Sequence, residues 1–199
     1  MRKLVLLIIL APVILACFAN CSQTTSETLA KDNQETTVVD SLALQLHRLD
    51  SLYNSGRLLH VDIYKIGRLK SIDFSVQSVD VEGETTQFIN LRKDIGNEYY
   101  YNWEDARILP GECQYLMSAI DAIKANWHRE TDHEERYAYI TKDDIRVFAT
   151  NEGGGAKWKI ALSVDYRKDR SEVNLTEEEL DSFVSLINQG LSRIREINK

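Results

Sequence analysis

Ala156–Tyr166 reads AKWKIALSVDY, and Glu172–Ile197, just beyond it, reads EVNLTEEELDSFVSLINQGLSRIREI. In the first stretch Trp158, Ile160, Leu162, Val164 and Tyr166 recur at every second position. Side chains alternate across a strand, so this period predicts a β-strand with one dry face. The second stretch starts as a short strand, Glu172–Leu175, and then changes period. Thr176 followed three residues later by Glu179 is a capping box, and it opens a helix running to about Ile197. Strands that come first and a helix that closes them give an α+β order, not the alternation of a parallel sheet.

Working outward, the same order appears earlier in the chain. Leu59, Val61 and Ile63 alternate with polar residues, as do Ile72, Phe74 and Val76; Gln87–Lys93 and Glu98–Ile108 continue the series. Turns are expected at Ile66-Gly67-Arg68, Glu82-Gly83-Glu84 and Ile95-Gly96-Asn97. Pro110 then opens a helix to about Trp127, since proline's missing N–H costs nothing in a first helical turn. A polar linker, His128–Arg136, precedes strands at Tyr137–Thr141 and Asp144–Thr150 and a loose NEGGG hairpin at Asn151–Gly155. Val38–Ser55 reads as a further helix ahead of all the strands.

The two later helices overlay at an offset of 67: Cys113 falls on Leu180, Leu116 on Phe183, Met117 on Val184, Ile120 on Ile187 and Trp127 on Ile194. This points to a duplicated strands-then-helix unit with halves 57–127 and 136–199. The alternative is that any two amphipathic helices overlay once phased. The fold expected is therefore α+β: antiparallel sheet or sheets with helices packed on one face, in a single domain over residues 38–199. The layout loosely resembles tandem meander-plus-helix binding folds of the β-lactamase-inhibitor-protein type, a likeness of layout alone.

The first residues carry a different message. Met1-Arg2-Lys3 is basic, Leu4–Ala16 is uncharged and almost wholly apolar, and Cys17 follows a small residue. This is the pattern of a secretory signal, shorter than the ~20 residues that a spanning helix needs. Ile14-Leu15-Ala16-Cys17 resembles the lipobox of bacterial lipoproteins, with Leu15 where a smaller residue is usual. The resemblance implies removal of residues 1–16 and acylation of Cys17, including a palmitate-type chain, in the bacterial cell envelope. Several chains together anchor stably where one would not. Phe18 stands where inner-membrane retention would place Asp, which by resemblance to the enterobacterial sorting pattern favours the outer membrane. The rival reading is cleavage after Ala19 and release of a soluble protein.

Residues 22–37 are polar and nearly free of large apolar side chains, so they cannot offset their ordering entropy by burial. Residues 17–37 are read as the lipidated cysteine and a tether, its coil reaching roughly 20–25 Å. The formal charge of −7 over 199 residues argues against nucleic acid as a partner. A Cys21–Cys113 bridge is permitted in an oxidising compartment, but Cys113 falls on the apolar face of its helix and reads as a buried thiol.

Candidates for chemistry are few. His128–Glu135 is rich in metal-ligating types but has no zinc spacing, so no metal or other cofactor is expected. Gly153–Lys157 lacks the spacing of a phosphate loop, and no serine sits in a nucleophile motif. Glu104-Asp105 and Asp143-Asp144 are sequence neighbours, which splay rather than pair. The best recognition candidate is Tyr99, Tyr101 and Trp103, which a strand would place on one face. Strand aromatics are more often core than contact surface, so burial is the weightier expectation at Trp103. If it holds, the hairpin tips at Gly83, Gly96 and Gly153–Gly155 are the next candidates.

The leading functional expectation is a non-catalytic, membrane-anchored binding or accessory module whose partner is a protein, peptide or glycan. Two others stand beside it: an envelope hydrolase with a carboxylate site assembled only in the fold, and an inhibitor or immunity-type protein. A concavity with converging carboxylates or histidines favours the enzyme; a broad exposed aromatic sheet face favours binding.

Overall fold

The computed structural model describes residues 41–81, 83–96 and 102–199, and the chain divides into units 1–44 and 45–199. In the first unit the described residues, 41–44, are helical. The second opens with helix α1, residues 45–53, on which Leu46 and Leu49 are buried. Then come β1 (His60–Leu69), β2 (Ile72–Val81), β3 (Glu84–Asp94), β4 (Trp103–Ile108) and α2 (Cys113–Asn126). The pattern repeats with β5 (Glu135–Ile140), β6 (Arg146–Asn151), β7 (Lys159–Ser163), β8 (Glu172–Leu175) and α3 (Glu177–Ile197). The fold is α+β, with two antiparallel four-stranded meanders, β1-β2-β3-β4 and β5-β6-β7-β8, each followed by a helix.

The helices are exchanged. Helix α3 lies over β1, β2 and β3, while α2 lies over β5 and β6, so each sheet is covered by the helix of the other half. The apolar stripes explain why both can seat. Cys113, Leu116 and Ile120 on α2 and Trp127 at its C-terminal cap are buried, as are their counterparts Leu180, Phe183, Ile187 and Ile194 on α3. Phe183 meets Phe74 of β2 edge to face at 5.8 Å. Together with Ile89, Leu91, Val147 and Leu162 they form one continuous core. The capping box of Thr176 and Glu179 closes in both directions, at 3.2 and 2.8 Å. Cys113 is a free, buried thiol, its pKa pushed up to about 12 by burial.

Two glycines set how closely α3 approaches. A Cβ on Gly190 would lie 2.7 Å from Ile89 Cδ1, and one on Gly67 would lie 2.7 Å from Leu186 Cδ2. This corrects the turn expected at Ile66-Gly67-Arg68. The strand runs through it with a bulge between Lys65 and Gly67, and the chain reverses at Lys70, whose φ is 52°. Glycine is needed there for helix packing, not for turning. The long strand expected over Ala156–Tyr166 is also shorter. Ser163 Oγ and Ser171 Oγ both donate to the Asp165 carbonyl, at 3.0 and 2.5 Å, drawing the backbone out of the ladder. Tyr166 is consequently 39% exposed instead of sharing the dry face.

Polar fasteners join the halves. The buried Lys93 ammonium donates to the carbonyls of Arg170 and Glu172, the latter at 3.0 Å. Burial holds its pKa below the ordinary lysine value. Lys168 Nζ meets Glu104 Oε2 at 2.6 Å, and Lys124 pairs with Asp181 between the helices. No helix among the described residues is long and apolar enough to cross a membrane.

Candidate functional site

The first sheet has a dry face under α3 and a wet face on its other side. Ile72, Phe74 and Val76 point to the core, so Asp73, Ser75 and Gln77 point away from it. Register then places the side chains of that other face in rows across the strands. Ile63, Gln77 and the buried Phe88 form one row; Lys65, Ser75, the buried Asn90 and Arg107 the next; Arg68, Asp73, Arg92 and Asp105 the third. Asp94 and Trp103 close the series. Directly opposed residues in such rows sit within about 4.5–5.5 Å at Cβ.

One end of this face is tied down and the other is open. The Arg107 guanidinium donates to Asp143 through Nε and Nη2, at 2.9 and 3.1 Å, and to Asp50 of α1 at 2.8 Å. Burial works against its charge, but these bonds outweigh it and hold its pKa above the usual arginine value. Its backbone N–H also donates to Asp143, at 2.7 Å. Tyr53, Gln77, Phe88, Asn90, Arg92, Asp105 and Arg107 surround a hollow of about 270 Å³ beside this knot.

A larger hollow, about 550 Å³, adjoins it and shares Gln77, Asn90 and Arg92. That volume lies within the range of ligand pockets. It lies beside the β1 bulge, with Ile66, Gly67 and Phe74 among its lining residues. Arg92 grips Asp105 with two bonds, 2.9 and 3.3 Å, and Asn90 donates to the same carboxylate at 3.1 Å. Arg68 stands 3.5 Å from Asp73. The side chains of Lys65, Ser75 and Gln77 have no polar partner among the described residues. Ile63, 61% exposed, forms the rim.

Trp103 belongs to this face. It is 52% exposed, with the Arg92 guanidinium 5.0 Å from its ring centroid. The expectation of burial therefore fails at Trp103: Ala106 and Ile108 take the dry positions of β4 and leave Trp103, Asp105 and Arg107 on the wet side. Tyr99 and Tyr101 lie outside the described residues, as does Cys17. The other wet residues were missed in the sequence. Their signal in the sequence is the polar half of each alternation, Asp73-Ser75-Gln77 and Asn90-Arg92, which by itself marks only the side of the strand away from the apolar residues.

The histidine-rich linker forms a second, chemically different cleft. Hollows of about 340 and 610 Å³ lie between residues 127–135 and the 154–158 hairpin, sharing Arg129, Glu130 and Gly155. His133 is engaged by two carboxylates: Nδ1 lies 2.7 Å from Asp132 and Nε2 3.2 Å from Glu135. The hydrogen bond to Asp132 raises its pKa. With both nitrogens committed to acids, neither is free to deprotonate a hydroxyl. Thr131 Oγ1 donates instead to the His133 carbonyl, at 2.9 Å. Trp158 is fixed by its indole N–H on the Arg129 carbonyl, at 3.0 Å, and by the Tyr137 ring at 5.5 Å. No group of three or more His, Cys, Asp or Glu among the described residues is placed to hold a metal ion. Comparison with protein-family models, curated proteins and solved structures found no match.

Proposed function

We propose that this protein is a non-catalytic binding module of the bacterial cell envelope that engages its partner through the wet face of the first sheet. Lipid on Cys17 holds it at the membrane, and the outer membrane is the favoured site. The observation that carries the reading is the open hollow on that face. It combines three polar side chains that have no polar partner among the described residues, Lys65, Ser75 and Gln77, with exposed Ile63 at its rim and Trp103 farther along the same face. Such a mixture of fixed apolar area and accessible hydrogen-bonding groups suits recognition. It is poorly suited to acid–base work: Asp73 is the single carboxylate lining the larger hollow, and no histidine lines it. The anchor reading rests on Ile14-Leu15-Ala16-Cys17 and its resemblance to a lipobox.

Affinity capture from detergent-solubilised envelopes, with the full chain as bait, tests the proposal. Wild type should retain a discrete partner that Trp103→Ala and Lys65→Glu baits, equally folded by circular dichroism, do not retain. Equal recovery by all three would overturn the assignment of the face. Cys17→Ser should leave the membrane fraction; its retention there would overturn the anchor.

A further inference from the structure

The wet face also states what kind of partner it fits, given the binding reading above. We infer that the site takes an extended acidic peptide segment, which adds as a strand beside His60–Lys65. The argument begins at the sheet edge. β1 is an outer strand bonded only to β2 within its sheet. Its backbone groups that point away from β2 have no backbone partner among the described residues. Such an edge is a template for another strand. The bulge between Lys65 and Gly67 breaks the template toward Leu69, which leaves His60–Lys65 as its regular part. The inner side of the strand is taken, with Tyr64 under the Arg193 guanidinium at 4.6 Å. An added strand would therefore display its free side chains toward the wet face.

Charge then selects the sequence. The hollow beside this edge is lined by three cations, Lys65, Arg68 and Arg92, and one carboxylate, Asp73. Arg92 is held by Asp105 and Arg68 stands by Asp73, so of the three Lys65 is the one with no carboxylate partner among the described residues. This local excess of positive charge sits in a chain whose formal net charge is −7. Exposed Ile63 lies two residues from Lys65 on the same face. On an added strand the residues opposite these two are also two apart. The geometry points to a ligand with an apolar residue and an acidic residue at alternate positions. A glycan carboxylate could meet Lys65, but it could not satisfy the strand edge.

Fluorescence anisotropy on the full chain tests this, using a labelled, end-capped peptide of alternating Val and Thr in which one Val is replaced by Glu. The Glu peptide should bind, and its Lys counterpart should bind about tenfold or more weakly. Lys65→Glu should reverse that order, which an unfolded variant could not do. N-methylation along one peptide edge should abolish binding. Equal affinity for the two peptides, or an unreversed order in Lys65→Glu, would overturn the inference. So would undiminished binding of the N-methylated peptide, or trigalacturonate binding in place of the Glu peptide. If no peptide binds while envelope capture still depends on Trp103, the acidic-strand inference falls and the binding-module reading stands. If capture fails as well, both fall.

Discussion

Trp103→Ala separates a contact surface from a core more sharply than any other single substitution. A fully buried aromatic truncated to Ala costs about 3–5 kcal/mol, because transfer and cavity terms add. Trp103 keeps 52% of its surface in solvent, at the first residue of β4. Its removal therefore exposes no sealed cavity and forfeits roughly half of the transfer term. The Arg92 guanidinium over the ring, 5.0 Å from the centroid, adds about 0.5–1 kcal/mol. The expected loss is about 1–2 kcal/mol. For a domain of this size that lowers the melting midpoint by about 2–8 °C. Urea unfolding followed by far-ultraviolet circular dichroism gives the free energy directly. A double-mutant cycle with Arg92→Ala should return a coupling of about 0.5–1 kcal/mol. A loss above about 3 kcal/mol, or no coupling to Arg92, would refute the placement of Trp103 on the wet face.

Other substitutions probe the scaffold behind that face. Gly190→Ala should destabilise by about 1 kcal/mol, because overpacking against Ile89 costs about 1–3 kcal/mol and better helix propensity returns up to about 1; an added Ile89→Val should recover part of the loss in the same urea assay. Burial raises the Glu112 carboxyl above its ordinary 4.5, against the opposing hydrogen bond from the Lys142 N–H at 2.7 Å. The folded chain then holds that proton more tightly than the unfolded chain. Its contribution to stability is full below about pH 4.5 and is lost as pH rises through the folded value; Glu112→Gln should flatten that fall in a pH series of urea midpoints. Segments 57–127 and 128–199, expressed separately, should each fail to unfold cooperatively, since each lacks the helix that covers its sheet; mixing them should restore a cooperative transition.

Much of this fold was legible because its signals are periodic. Alternation at Ile72-Phe74-Val76 and at Trp158-Ile160-Leu162 marked strands, and the Thr176–Glu179 box marked the start of α3. The helix overlay anticipated matching buried stripes on α2 and α3. It could not reveal that each stripe serves the opposite sheet, since a stripe records that a face is buried and not what buries it. Gly67 misled for a related reason. A glycine in a strand suggests a turn as readily as a close approach, and only Leu186 standing over it decides between them. The strand boundary after Ser163 depends on Ser171, a residue beyond the strand, and so left no local trace.

The candidate site was less legible. Trp103 stood out by residue type, but its facing depends on which neighbours fill the dry positions of β4. Lys65, Ser75, Asn90 and Arg107 come from four strands and meet only through register. No local motif joins them, and each alone is an ordinary polar strand residue. The histidine-rich linker was conspicuous in sequence, yet its geometry commits both nitrogens of His133 to carboxylates.

The most direct test of the central claim is site-specific photo-crosslinking in intact cells expressing the full chain. A photoreactive phenylalanine analogue placed at Ser75 or Gln77 reports contacts made in the hollow itself. The same analogue at Arg195, in the last turn of α3 and away from the hollow, serves as the control. The account predicts a discrete higher-mass adduct from Ser75 and Gln77, absent from Arg195 and lost when Lys65→Glu is added. An adduct from Arg195 with none from Ser75 or Gln77 would contradict the claim that the wet face of the first sheet is the working surface.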